Sequence, residues 1–187
     1  MLILCEGTTE KNYFQAIKED PEYKQALSAI DPQVVAAKNP TPDQVVREAV
    51  QRAEQAEQEN NPYEKVWVVF DHDHHAHRKS AYDEALQQNC EVAFSAIAFE
   101  IWYLLHFVKT ARVFQNGNEL IRELRNYYPG YKKARQNDFA NLKDRLGSGI
   151  ENANWLRRQN SEGGKHVTEQ GAWTDVDLLV VALIQAP

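Results

Sequence analysis

Apolar and polar positions divide the chain into a first half in which strands and helices alternate and a second half dominated by helical spacing. Leu2 to Cys5 is a short apolar run that predicts a buried strand. Thr8, Thr9 and Glu10 lead from it into a helix whose inward stripe is Tyr13, Phe14 and Ile17. A weaker strand is predicted over 33–37. Thr41, Pro42 and Gln44 then supply an N-cap, a proline at the first helical position and a capping-box glutamine. Val45, Val46, Ala49, Val50 and Ala53 carry the helical spacing onward, with Arg47, Arg52, Glu54 and Glu57 on the other face. Val66, Trp67, Val68, Val69 and Phe70 form an unbroken apolar run, the mark of a central strand covered on both faces, and it stops at Asp71.

A helix over about 78–88 and a strand over about 91–96 complete the order strand, helix, strand, helix, strand, helix, strand. That alternation predicts right-handed crossovers and a parallel four-stranded sheet flanked by helices. Phe99 to Phe107 opens a mostly helical C-terminal half, with helices predicted near 117–128, 137–146, 149–158 and 174–185. Asn116, Gly117, Pro129, Gly130, Gly147, Gly163 and Gly164 supply the breaks. The expected organisation is an α/β core over 1–108 and a helical elaboration over 109–187 packed on it as one unit.

Composition changes this picture in two ways. The only cysteines, Cys5 and Cys90, each lie in an apolar stretch that reads as strand, so no disulfide framework is expected and a reducing, cytoplasmic setting is. No apolar run approaches the roughly 18 residues of a membrane span. The net charge of −6 argues against a general nucleic-acid binder, but it is unevenly spread. Residues 1–108 hold 9 Lys and Arg against 18 Asp and Glu, whereas 109–165 hold 12 against 6. The basic stretch is either a set of solvated helix faces or a surface that receives phosphates. On the second reading Lys132, Lys133, Arg135, Arg157 and Arg158 bind nucleic acid, with Arg122 and Arg125 nearby in sequence and Tyr127, Tyr128, Tyr131 and Trp155 available to stack on unpaired bases.

The candidate chemistry lies in the acidic half. Ligands of a parallel sheet bind outside the carboxyl ends of its strands. Glu6 follows the first strand and Asp71 ends the third, so both carboxylates are expected on one edge. Asp73, two residues on, aims to the same side if the backbone stays extended. Three convergent carboxylates repel one another and need a counterion, and Mg2+ or Mn2+ suits an all-oxygen donor set. Such an ion activates water and stabilises charge developing on a phosphodiester, while a nearby carboxylate moves a proton. Glu100 sits among Ile97, Phe99, Ile101 and Trp102, where an unpaired carboxylate is costly, so it is expected near the site or in a structural hydrogen bond. His106 falls about 240° further round the same helix and reads as a satisfied core histidine.

These residues carry a family resemblance. The segment Leu4-Cys5-Glu6-Gly7-Thr8-Thr9-Glu10-Lys11-Asn12-Tyr13-Phe14 resembles the opening motif of the RloB-like family. Val68-Val69-Phe70-Asp71-His72-Asp73 resembles its strand-borne Asp-x-Asp, Phe99 to Phe107 its Phe-Glu-x-Trp-x-Leu-Leu-His-Phe helix, and Trp173 to Leu179 its terminal segment. The resemblance implies a Toprim-like fold and a magnesium-dependent nuclease or related phosphodiester-transfer enzyme of phage-resistance or restriction loci. Glu6 is then a general acid or base and metal contact, Asp71 and Asp73 are metal ligands, and Glu100 assists. Nucleic acid is the implied substrate, and a protein encoded in the same defence locus is a further expected partner. A Toprim-like module that binds or senses nucleic acid without turnover is the alternative. His72, His74, His75 and His77 raise a second one, because Asp73-His74-His75 also resembles the DHH phosphoesterases. The earlier Asp-x-Asp and the later Gly-Gly-Gly-His of that family are missing, and Gly163-Gly164-Lys165-His166 matches only in part.

Overall fold

The computed structural model describes residues 1–72, 76–135, 138–161 and 163–185. In chain order, β1 (Leu2–Cys5) is followed by α1 (Thr8–Glu19), α2 (Lys24–Ile30), β2 (Gln33–Ala36), α3 (Pro42–Gln58), β3 (Val66–Asp71), α4 (Arg78–Gln87) and β4 (Glu91–Ala96). The second half holds α5 (Glu100–Leu105), α6 (Gly117–Tyr127), α7 (Asp138–Leu142), α8 (Leu146–Ser161), β5 (Trp173–Thr174) and α9 (Val176–Ile184). Short 3-10 turns occupy Lys143–Arg145 and Val167–Glu169. The expected elements are present; α2 and β5 are additions.

The sheet has five strands in the order β2-β1-β3-β4-β5. The first four are parallel, as expected, but β5 pairs antiparallel to β4 through Ser95–Thr174 and Ala96–Trp173. The four-stranded expectation is therefore corrected by one short edge strand. Ser95 and Thr174 hydroxyls meet at 3.0 Å, and the Asp175 amide donates to the Phe94 carbonyl at 2.9 Å. A two-residue strand has too few positions to display a period of two, which is why the pattern hides it.

Both faces of the sheet are covered, and side-chain alternation sorts the strands between two cores. Ile3, Cys5, Trp67, Val69 and Ala93 pack with Tyr13, Phe14, Trp102, Leu120, Leu156 and Val180 on one face. Leu2, Leu4, Val68, Phe70, Val92 and Phe94 pack with Val45, Val46, Ala49, Ala81 and Ala85 on the other. Thus α1 and the helices after β4 cover one face, and α3 and α4 the other. Residues from before and after position 109 share the first core. No helix among the described residues is long and apolar enough to cross a membrane. Cys5 and Cys90 are both buried and free; Cys90 lies just ahead of β4 rather than within it.

The capping box expected at α3 does not form. Thr41 donates its hydroxyl to the Asp43 carboxylate at 2.9 Å and Gln44 donates its amide to the same group at 3.2 Å. Neither side chain reaches the helix backbone at the cap. An ionised carboxylate is the stronger acceptor, so Asp43 takes both partners.

This wiring creates one switch point. From β1 the chain crosses by α1 to β2 on one side, and from β2 it returns by α3 over the opposite face to β3. Neighbouring strands β1 and β3 therefore send their connections in opposite directions, and the crevice opens at their carboxyl ends.

Candidate functional site

Glu6 and Asp71 sit at that crevice. The Glu6 amide extends the β1–β3 ladder by donating to the Val69 carbonyl at 2.8 Å. Its carboxylate Oε2 accepts the Asp71 amide at 3.0 Å, so the first acid caps the strand end that carries the second. Glu6 is buried and Asp71 half-buried. The expectation of a shared edge holds for these two. Asp73, with His74 and His75, lies outside the described residues. His72 donates its amide to the Ser95 carbonyl at 3.0 Å, and His77 is exposed just ahead of α4.

A cleft of about 460 Å³ is lined by Glu6, Gly7, Thr8, Thr9, Glu10, Pro40, Asp71, Lys133 and Ala134. The first turn of α1 forms one wall, which brings the positive end of its dipole to the cleft, and the backbone amides of Gly7 and Glu10 hydrogen-bond to the Glu10 carboxyl there. Glu10 occupies that turn and is 6% exposed. Its Oε2 has no hydrogen-bond partner among the described residues. Burial pushes its carboxyl up to about 7; the charge of Glu100 adds to this, while backbone amides and Lys133 oppose it. A Cβ at Gly7 would stand 2.8 Å from Glu10 Oε2, so a side chain there would shift this carboxylate. In the linear pattern Glu10 reads as a helix-start acid and as part of the opening motif. The signal for it lies in its spacing from Glu6: Glu6 follows a strand and Glu10 opens a helix, and the intervening turn brings both to one cleft.

The carboxylates in the cleft, Glu6 and Asp71 with Glu10 beside them, are oxygen donors of the kind that suit a hard divalent cation with retained water. Among the described residues no group of three or more His, Cys, Asp or Glu side chains converges as a metal site. Asp73, the third expected ligand, is outside that set.

Glu100 is buried at the start of α5 and accepts the Tyr131 hydroxyl at 2.6 Å. It does not line the cleft, and it reaches it through its charge on Glu10. His106 is a core histidine, as expected. Its Nδ1 meets the Trp102 carbonyl at 2.8 Å, and burial draws its imidazole down to about 4. Gly149 of α8 packs against the ring, where an added Cβ would stand 3.0 Å away.

The basic stretch divides. Lys132, Lys133, Arg135 and Arg158 are exposed. Arg157 instead forms a two-pronged ion pair with buried Asp177 and donates to the Thr174 carbonyl at 2.7 Å, tying α8 to β5 and α9. Its expected place on a phosphate-binding surface is corrected to a structural one, because its donors are committed. The stacking expectation changes likewise. Tyr131 is 1% exposed and hydrogen-bonded to Glu100, and Tyr128 donates to Asp138 at 2.9 Å. Trp155 carries Lys109 over its ring at 5.1 Å. Tyr127 remains exposed, stacked on Phe107.

Comparison with known proteins returns one family: a model described as RloB-like protein matches residues 1–183. No curated protein and no solved structure matches the chain.

Proposed function

The chain belongs to the RloB-like family, and on that premise we propose that it is a Toprim-like, divalent-metal-dependent nuclease acting in phage defence. The observation that carries this reading is the placement of Glu6 and Asp71 at the carboxyl ends of adjacent parallel strands, at the switch point, with the Asp71 backbone amide donating to Glu6 Oε2 at 3.0 Å. Family membership is what supports a setting in phage-resistance or restriction loci.

In this reading Glu6, Asp71 and Asp73 hold Mg2+ or Mn2+. The bound ion supplies Lewis-acid stabilisation of phosphodiester charge and a more acidic water. The chain's own groups do the rest. Glu6 orients the end of β3 by accepting the Asp71 amide. Glu10, with its carboxyl raised to about 7, holds a proton near neutral pH and can give it to a departing oxygen. Burial is what chiefly keeps Glu10 in that protonated range, and the charge of Glu100 adds to it. Lys132, Lys133 and Arg135 draw in the nucleic-acid backbone, which an acidic cleft alone would repel. Because Tyr131 and Tyr128 are engaged inside the protein, recognition rests on phosphate contacts more than on base stacking.

The test is cleavage of labelled single- and double-stranded DNA and RNA with Mg2+ or Mn2+. Metal-dependent cleavage that Asp71→Asn abolishes, with melting temperature unchanged or raised by the loss of one crowded anion, supports the reading. Binding without cleavage in wild type assigns the chain to a sensing module, and an unfolded Asp71→Asn variant makes the residue structural.

A further inference from the structure

The basic segment reaches the acidic cleft by a specific route. Between α6 and α7 the chain is pinned at two points that flank Lys132 and Lys133. On one side Tyr131 is buried, with its hydroxyl on Glu100 at 2.6 Å. On the other, Ala134 adopts the left-handed region, with φ +61. Both backbone polar groups of Ala134 are taken by α1: its N–H donates to Thr9 Oγ1 at 3.1 Å and its carbonyl accepts from Asn12 Nδ2 at 2.9 Å. Lys133, between the pins, lines the cleft with Glu6, Glu10 and Asp71, and its charge acts on Glu10.

Thr9 and Asn12 sit three residues apart, so they lie on one face of α1. Thr9 is buried, yet its hydroxyl serves a residue 125 positions away. A non-glycine residue at positive φ carries a steric cost, which a paired set of hydrogen bonds from outside the loop can offset.

We propose that Thr9 and Asn12 are positioning residues that, by holding Ala134, fix Lys133 over the carboxylate cleft to receive a substrate phosphate. This rests on the nuclease reading given above. The clamp resolves an electrostatic conflict: the cleft needs acids for a metal, and those acids repel the phosphate. A lysine on a loose loop would be screened and would lose rotamer freedom on binding. Held in place, it lowers the repulsion at the point where the phosphate must sit.

The experiment uses the full chain and a labelled oligothymidylate, with affinity measured against salt in the absence of divalent ions. Amide hydrogen exchange at Ala134 is followed in parallel. Thr9→Val and Asn12→Ala are expected to speed exchange at Ala134 and to weaken oligonucleotide binding about five- to tenfold at low salt, reducing the salt slope by about 0.7, as Lys133→Ala does. Combining Thr9→Val with Lys133→Ala is expected to add nothing further, and Thr9→Ser, which keeps the hydroxyl, is expected to behave as wild type. Unchanged protection of Ala134 in Thr9→Val overturns the clamp. Additive effects of Thr9→Val and Lys133→Ala overturn the link to Lys133. Wild-type binding by Lys133→Ala, with protection lost in Thr9→Val, overturns the substrate role of Lys133 while leaving the Ala134 contacts in place; failure of the nuclease reading is seen separately, as no metal-dependent cleavage by wild type.

Discussion

The Asp71 amide donates to Glu6 Oε2 at 3.0 Å, so an acid at the end of one strand sets the backbone of the acid at the end of its neighbour. Glu6→Gln keeps an acceptor for that amide, whereas Glu6→Ala leaves it unpaired at the edge of the core. The Ala variant is expected to lose about 1–3 kcal/mol of unfolding free energy in urea, and the Gln variant much less. On the metal reading, saturating Mn2+ should raise the melting temperature of wild type and of neither variant. A Gln variant that still responds fully to Mn2+ would remove Glu6 from the metal set.

Glu10 makes stability depend on pH. Its carboxyl is pushed up to about 7 in the folded chain, chiefly by burial, from an ordinary value of 4.5. Below pH 4.5 both states are protonated and the group has no effect. Between about 4.5 and 7 the unfolded chain ionises first, so stability falls as pH rises and levels off above the folded value. The ceiling on this effect is about 3 kcal/mol. Glu10→Gln in chelator-treated protein is expected to melt like wild type near pH 4.5 and higher than wild type at pH 8. Parallel melting curves across that range would place Glu10 in contact with solvent.

Arg157 and Arg158 are neighbours with opposite expected behaviour. Arg157→Leu strands the buried Asp177 carboxylate and should cost about 3–5 kcal/mol in urea unfolding. Arg158 is exposed, so Arg158→Ala should change stability by less than about 0.5 kcal/mol. If the two variants unfold alike, the Arg157–Asp177 pair does not hold α8 against α9.

Much of the fold is legible in the linear pattern because it follows from local period and from short runs. The unbroken apolar run of β3 predicts a strand covered on both faces, and the two cores that flank Val68 and Val69 bear that out. The strand-terminal positions of Glu6 and Asp71 follow from the same run lengths, since parallel strands in one sheet present their carboxyl ends together. The opening motif also has a physical reading: Gly7 packs against the Glu10 carboxylate, Thr9 and Asn12 bind Ala134, and Tyr13 and Phe14 fill the core.

Relations between residues far apart in sequence are set by the three-dimensional packing alone. Charge counting treats Arg157 and Lys133 as equals, but one faces Asp177 and the other a cleft, a distinction made by which helix each is packed against. Tyr131 reads as a stacking residue until Glu100, 31 positions away, takes its hydroxyl. Glu10 looks like an ordinary first-turn acid, and only enclosure by the cleft and the charge of Glu100 raise its carboxyl. Periodicity records which face of an element is buried; it carries no record of what lies across from that face, and desolvation, ion pairing and hydrogen-bond partnership all depend on that second party.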